Sequence, residues 1–132
     1  MMQFKTLIRP EHLNHNGHLF GGYMLLWVDE YAYIAAMEEF PDARFVTRAM
    51  DSVSFTQSVS NGDVITFDIN RLKMGHSSVT YSVDVTALGV PTGIRRDVFH
   101  TNVTFCNTDG NGHKELLPAL KMQPSDDKPS KP

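Results

Sequence analysis

The stretch from Phe20 to about Glu39, FGGYMLLWVDEYAYIAAMEE, contains no proline and is dominated by Met, Leu, Ala and Glu. It predicts one long helix, roughly 30 Å at 1.5 Å per residue. The following FPDAR ends it, because Pro41 disfavours helical geometry at the residue before it. Downstream the apolar residues recur every second position, the signature of strands with one buried face. Val53, Phe55 and Val59 alternate with Ser52, Ser54, Thr56 and Ser58; Ile65, Phe67 and Ile69 form a second run. Val79, Tyr81, Val83, Val85 and Ala87 form a third, and Phe99, Val103 and Phe105 a fourth. NGD at Asn61, MGHS at Met74 and LGVPTG at Leu88 supply the turns between them. Before the helix, Gln3 to Ile8 reads as extended and RPEHLNHNGHL as a loop. One helix that is apolar nearly all round, beside a one-faced sheet, implies an α+β fold in which an antiparallel meander wraps the helix.

A chain of 132 residues suits a single domain, here residues 1–122, and QPSDDKPSKP from Gln123 lacks apolar anchors and reads as a disordered tail. A net charge of −3 offers no basic field for nucleic acid. The lone Cys106 cannot form an internal disulfide and lies in an apolar strand-like run, which favours a reducing, cytoplasmic setting. MMQFKTLIRPEH lacks the apolar run of a signal peptide, and no stretch reaches the roughly 18 apolar residues of a membrane span. His12, His15 and His18 recur in the loop, but a loop does not align the three rings and no Cys or His elsewhere completes a zinc spacing, so no metal is expected. There is no G-x-S-x-G nucleophile motif, and NGDV and TDGNG are turns rather than calcium loops.

The helix carries two adjacent acids, Asp29 and Glu30, where a core helix would have none. At 100° per residue Phe20, Met24, Trp27, Tyr31 and Ala35 share the face assigned to the sheet, and Asp29 lies opposite, among Gly22, Leu25, Ala32 and Ala36. An apolar surface around one acid suits a partner or ligand more than solvent. A carboxylate in such surroundings is suited to acid–base work. Gly21 and Gly22 open the helix, where glycine lets a ligand approach the backbone and unpaired N–H groups can hold an oxyanion. Gly22 is two turns before Asp29 on nearly the same face, so donors and base are expected to point into one cleft.

Asn14, Gly17, Phe20, Gly21, Gly22 and Asp29 together resemble the N-x-x-G-x-x-F-G-G…D signature of hotdog-fold acyl-CoA thioesterases, in particular the YciA-like and cytosolic acyl-CoA hydrolase branch. VSFTQSVSNGDVI, MGHSSVTYSVDV and VTFCNTDGNG are similar to later segments of that family, so the likeness runs from about Thr6 to Lys114. The resemblance implies a hotdog fold, a long central helix wrapped by an antiparallel β-sheet. It also implies a homodimer with sites at the subunit interface, assembling to a tetramer or hexamer. Acyl-CoA would be hydrolysed there, coenzyme A entering only as part of the substrate and no further cofactor being needed.

By the same resemblance Asp29 would be general base or nucleophile, Asn14 would position thioester or water, and the Gly22 N–H would hold the thioester oxygen. Gly21, Gly75, His76, Ser77 and Ser78 would line the substrate path, with Leu25, Leu26 and Tyr33 lining an acyl tunnel together with groups of the partner chain. Met74 stands where relatives often carry a basic residue for the coenzyme A phosphates, leaving Arg48, Lys73, Arg95 and Arg96 as substitutes. Two other readings keep the fold: a non-catalytic acyl-CoA or acyl-carrier binding protein, and a hydratase. The hydratase ranks last, because such enzymes pair the acid with a histidine and this helix has none.

Overall fold

A computed structural model describes residues 1–121. In chain order they form β1 (Met2–Leu7), a one-turn 3-10 helix (Pro10–His12), α1 (Gly21–Glu39), β2 (Phe45–Phe55), β3 (Val64–Met74), β4 (Ser78–Leu88) and β5 (Arg95–Asn107). All strand pairs are antiparallel, in the order β1-β3-β4-β5-β2, and α1 packs against the sheet. This is the α+β hotdog arrangement. Only β3, β4 and β5 form a meander. The chain leaves β1 at one edge, crosses along α1 and returns as β2 at the opposite edge, so the two outer strands are not sequence neighbours of the strands they pair with.

The inward residues of β3, β4 and β5 behave as their alternation predicts: Ile65, Phe67, Val79, Tyr81, Val83, Val85, Val103 and Phe105 are all essentially inaccessible. The first alternating run does not. β2 begins at Phe45 and ends at Phe55, and Val53 and Phe55 are exposed, whereas the buried Val59 lies beyond the strand. β2 is an edge strand broken by two bulges, one at Arg48 and one at Ser52 and Val53, with Ser52 at a left-handed φ of 54°. Each bulge shifts the pleat, so period two in the sequence no longer maps onto one face.

The helix faces also need correction. Met24, Trp27 and Ala35 face the sheet as expected, but Phe20 is exposed, and Ala32 and Ala36, placed on the outer face, are completely buried. The sheet curls far enough round α1 to cover more than half its circumference. The residues left open are Gly22, Leu26, Glu30, Tyr33, Ile34 and Glu38, with Leu25 and Asp29 half-buried at their border.

At its C-terminus α1 is held by a partly buried polar cluster. Tyr81 Oη donates to Glu39 Oε1 at 2.7 Å, and Arg71 pairs with Glu39 Oε2 at 2.8 Å. The Lys121 N–H donates to the Glu39 carbonyl, tying the segment after β5 to the helix end. Burial raises the Tyr81 hydroxyl well above the ordinary tyrosine range; the hydrogen bond to Glu39 and its negative charge add to this, and Arg71 opposes it. A raised folded-state value contributes stability that is complete below the unfolded value of about 10 and declines as pH rises beyond it. Alkaline titration followed by tyrosinate absorbance is therefore expected to show Tyr81 silent until the chain unfolds. Four tyrosines ionising together in the folded protein would contradict this. The tail read from Gln123 onward lies outside the described residues.

Candidate active site

The loop before α1 is built around Asn14. Its Oδ1 accepts the N–H groups of Asn16 (2.8 Å) and His18 (3.2 Å), and its own N–H donates to the His18 carbonyl at 2.7 Å. These bonds fix which end of the amide is oxygen and leave Nδ2 as a donor with no partner among the described residues. His12 straps this loop to the helix. Its Nδ1 accepts the Arg9 N–H at 3.0 Å, its carbonyl accepts the Phe20 N–H at 2.9 Å, and its ring meets Tyr23 and Trp27 edge-on. Sequence suggests only a polar loop residue here, yet the ring packs as a structural aromatic. Among the described residues no cluster of three His, Cys, Asp or Glu side chains could hold a metal ion.

Helix α1 starts without a side-chain cap, since Phe20 at that position has no acceptor to offer. The Tyr23 N–H closes on the Phe20 carbonyl at 3.0 Å, while the N–H groups of Gly21 and Gly22 have no partner among the described residues. Two unpaired donors at the positive end of a helix form a place for an oxyanion. A side chain on Gly22 would strike the Phe20 ring, 2.5 Å from where its Cβ would stand. Glycine there lets Phe20 fold over the helix start.

Asp29 lies half-buried at the edge of the open stripe, where the Thr47 hydroxyl donates to its Oδ1 at 2.7 Å. Thr47 precedes the first bulge of β2 and pairs with Phe105; it stays exposed while its hydroxyl reaches the helix. No motif marks it, and the only signal in the sequence is its two-residue phase with Phe45 in FVTRAM, a segment without the longer alternation that marks the other strands. Gly22 and Asp29 share a side of the helix but stand seven residues apart, about 10 Å along the axis. With Asp29 itself as nucleophile, the reacting carbon would have to lie about 3 Å from both its carboxylate and the oxyanion donors, closer than the two groups of a single chain allow.

The other sequence-derived contacts are also spread out. Gly75, His76, Ser77 and Ser78 form the β3–β4 turn, with the Gly75 N–H on the Ser78 carbonyl and the carbonyls of His76 and Ser77 bound by Leu117 and Asn107. Ser78 pairs with Cys106 at one end of β5 and Phe55 with Phe99 near the other, which separates the turn from Gly21 by about 20 Å at 3.3 Å per residue. Arg96 is engaged, pairing with Asp63 at 2.7 Å and donating to the Ser58 carbonyl at 2.9 Å. Arg48, Lys73 and Arg95 are exposed, with no side-chain partner among the described residues. Leu26 and Tyr33 are exposed on the single chain, where a tunnel completed by partner-chain groups would require them to be.

A family model described as the thioesterase superfamily matches residues 16–94. The chain belongs to this superfamily. A Haemophilus influenzae protein named an uncharacterized acyl-CoA thioester hydrolase is 34% identical over 126 residues, covering 93% of this chain and 81% of that protein. The hexameric thioesterase y2039 of Yersinia pestis superposes with a TM-score of 0.79 at 32% identity, covering 88% of this chain and 93% of the other. An acyl-CoA hydrolase of Staphylococcus aureus, solved with butyryl coenzyme A, coenzyme A and coenzyme A disulfide, gives a TM-score of 0.79 at 26% identity over 89% of this chain and 71% of that one. That hydrolase has also been solved with an aspartate, and separately an asparagine, replaced by alanine. No helix among the described residues is long and apolar enough to cross a membrane.

Proposed function

We propose that the protein hydrolyses acyl-CoA thioesters to the free acid and coenzyme A at a site shared by two copies of the chain. The observation that carries this is the pairing of an uncapped helix start, with the free N–H groups of Gly21 and Gly22, with a hydroxyl-oriented carboxylate, Asp29, on the same exposed stripe. Water attacks the thioester carbonyl carbon and gives its proton to Asp29. The carbonyl electrons move onto oxygen, held by the Gly22 N–H, and Asn14 Nδ2 positions the thioester. Collapse of this intermediate breaks the carbon–sulfur bond, and the proton on Asp29 passes to the departing sulfur. Asp29 attacking the carbonyl directly would instead form a mixed anhydride, and water attacking its aspartyl carbonyl in a single turnover in heavy-oxygen water would then label the protein, which the water route cannot do. Neither route calls for a cofactor, and the single buried thiol, Cys106, suits a reducing cytoplasm.

The about 10 Å between donors and base is bridged if a second chain pairs antiparallel along β2. That strand is an open edge with Val46, Val53 and Phe55 exposed, a surface that seldom stays bare. Antiparallel pairing sets the Asp29–Thr47 end of one chain beside the Gly22–Phe55 end of the other. The resulting homodimer would assemble further, as its hexameric relatives do.

Thiol release from a panel of acyl-CoAs tests the activity. Tight binding of every acyl-CoA with no thiol released would select the non-catalytic reading. Sharing of the site is tested by complementation. Asn14→Ala and Asp29→Asn proteins are each nearly inactive. Mixed dimers make up half of a co-refolded equal mixture, and each holds one intact site, so the mixture regains about a quarter of wild-type activity. A mixture no better than its components would mean that each site lies within one chain.

A further inference from the structure

We infer that the cleft between the start of α1 and the end of β2 is the acyl pocket, and that Met24, Val59 and Val98 at its floor set the longest chain it accepts. The inference rests on the hydrolysis reading above and adds to it a substrate class, short to medium unbranched acyl groups. The cleft has a volume of ≈ 250 Å³ and is walled by Leu19, Gly21, Met24, Phe55, Val59 and Val98. In its remaining wall, residues 56–58, two side chains and one carbonyl are engaged by the neighbouring strand. The Thr56 hydroxyl and the Gln57 amide both donate to the Asp97 carbonyl (3.1 and 2.8 Å), and the Ser58 carbonyl accepts from Arg96. The cleft combines the apolar side chains of Leu19, Met24, Phe55, Val59 and Val98 with some polar surface and carries no lysine or arginine, which disfavours the phosphates of coenzyme A and suits hydrocarbon against the apolar wall.

Position gives the direction of the chain. Gly21 is part of the wall, and a Cβ added there would sit 3.5 Å from the Phe55 ring, inside the opening. A thioester oxygen on the N–H groups at the helix start therefore has its acyl carbons entering the cleft, while the sulfur and the coenzyme point outward. The floor is closed: Met24, Val59 and Val98 are 2%, 3% and 1% exposed, and the core lies behind them. At about 30 Å³ for each methylene-sized group, the space holds roughly eight carbons. Leu25, Leu26 and Tyr33, the tunnel residues expected from sequence, do not line it.

The test measures binding of non-hydrolysable alkyl-CoA thioethers of increasing length to the full-length protein. Affinity is expected to rise about fourfold per added methylene until the cleft is filled, near eight carbons, and then to level off. Met24→Ala deepens the floor and moves the break to longer chains; Val98→Leu raises it and moves the break to shorter ones. Circular dichroism confirms folding of each, and either variant alone suffices if the other fails to fold. A break unmoved in a folded variant overturns the pocket assignment. Thioether binding with the expected break, but no thiol released from any acyl-CoA, leaves the pocket standing and removes hydrolysis.

Discussion

Replacing Asp29 with asparagine lowers kcat for acyl-CoA hydrolysis by about 10²–10⁴-fold, the range general bases supply. The substitution is close to isosteric, and the asparagine carbonyl can still accept the Thr47 hydroxyl that now orients Oδ1. Geometry is therefore preserved while the proton acceptor is lost. Asp29 is half-buried at the border of an exposed stripe, so melting temperature changes little, a shift within about 0.5 kcal/mol. Thiol release under saturating substrate, alongside a thermal melt of the same preparation, separates the two effects. Turnover at the wild-type rate would remove Asp29 from the chemistry. Thr47→Val gives a smaller loss, because the carboxylate remains but is free to turn away from the attacking water.

The largest effect on stability is expected from Phe67→Ala, about 3–5 kcal/mol. Phe67 is completely buried at the middle of β3, opposite Phe4 of β1 and Val85 of β4. Its ring meets Tyr31 at 5.0 Å and Trp27 at 6.5 Å, so it joins the helix to the sheet where both are most enclosed. Removing it deletes the contacts of two helix aromatics and leaves a void that the surrounding strands cannot close. Against a total of about 5–15 kcal/mol this is a large share. Urea unfolding at fixed protein concentration should show a much lower midpoint than for Leu72→Ala, on the same strand but 56% exposed. Equal midpoints for the two would show that the interior around Phe67 relaxes to fill the space.

Much of the fold was legible because its central pieces obey simple periods. The Phe20–Glu39 run predicted α1, and the alternation from Ile65 to Phe105 predicted three strands whose inward residues are all buried. Where prediction failed, local pattern was overruled by position in the sheet. Val53 and Phe55 look like core residues, but they lie on a bulged edge strand with nothing outside it. Ala32 and Ala36 fall on the far side of a helical wheel, but the sheet curls round to meet them. Asn14, Gly22 and Asp29 could be picked out from a motif, whereas Thr47 could not, since its contact with Asp29 spans eighteen positions and exists only once β2 lies beside α1.

Sequence alone determined the superfamily, the helix and the chemistry-bearing residue types, because these depend on identity and on spacing along one element. Tertiary structure decided what those residues face. It placed the free N–H groups of Gly21 and Gly22 beside a cleft walled by apolar side chains and brought a hydroxyl onto Asp29. The about 10 Å between base and donors was already fixed by their seven-residue spacing on one rigid helix, and the proposed second copy brings the two halves together.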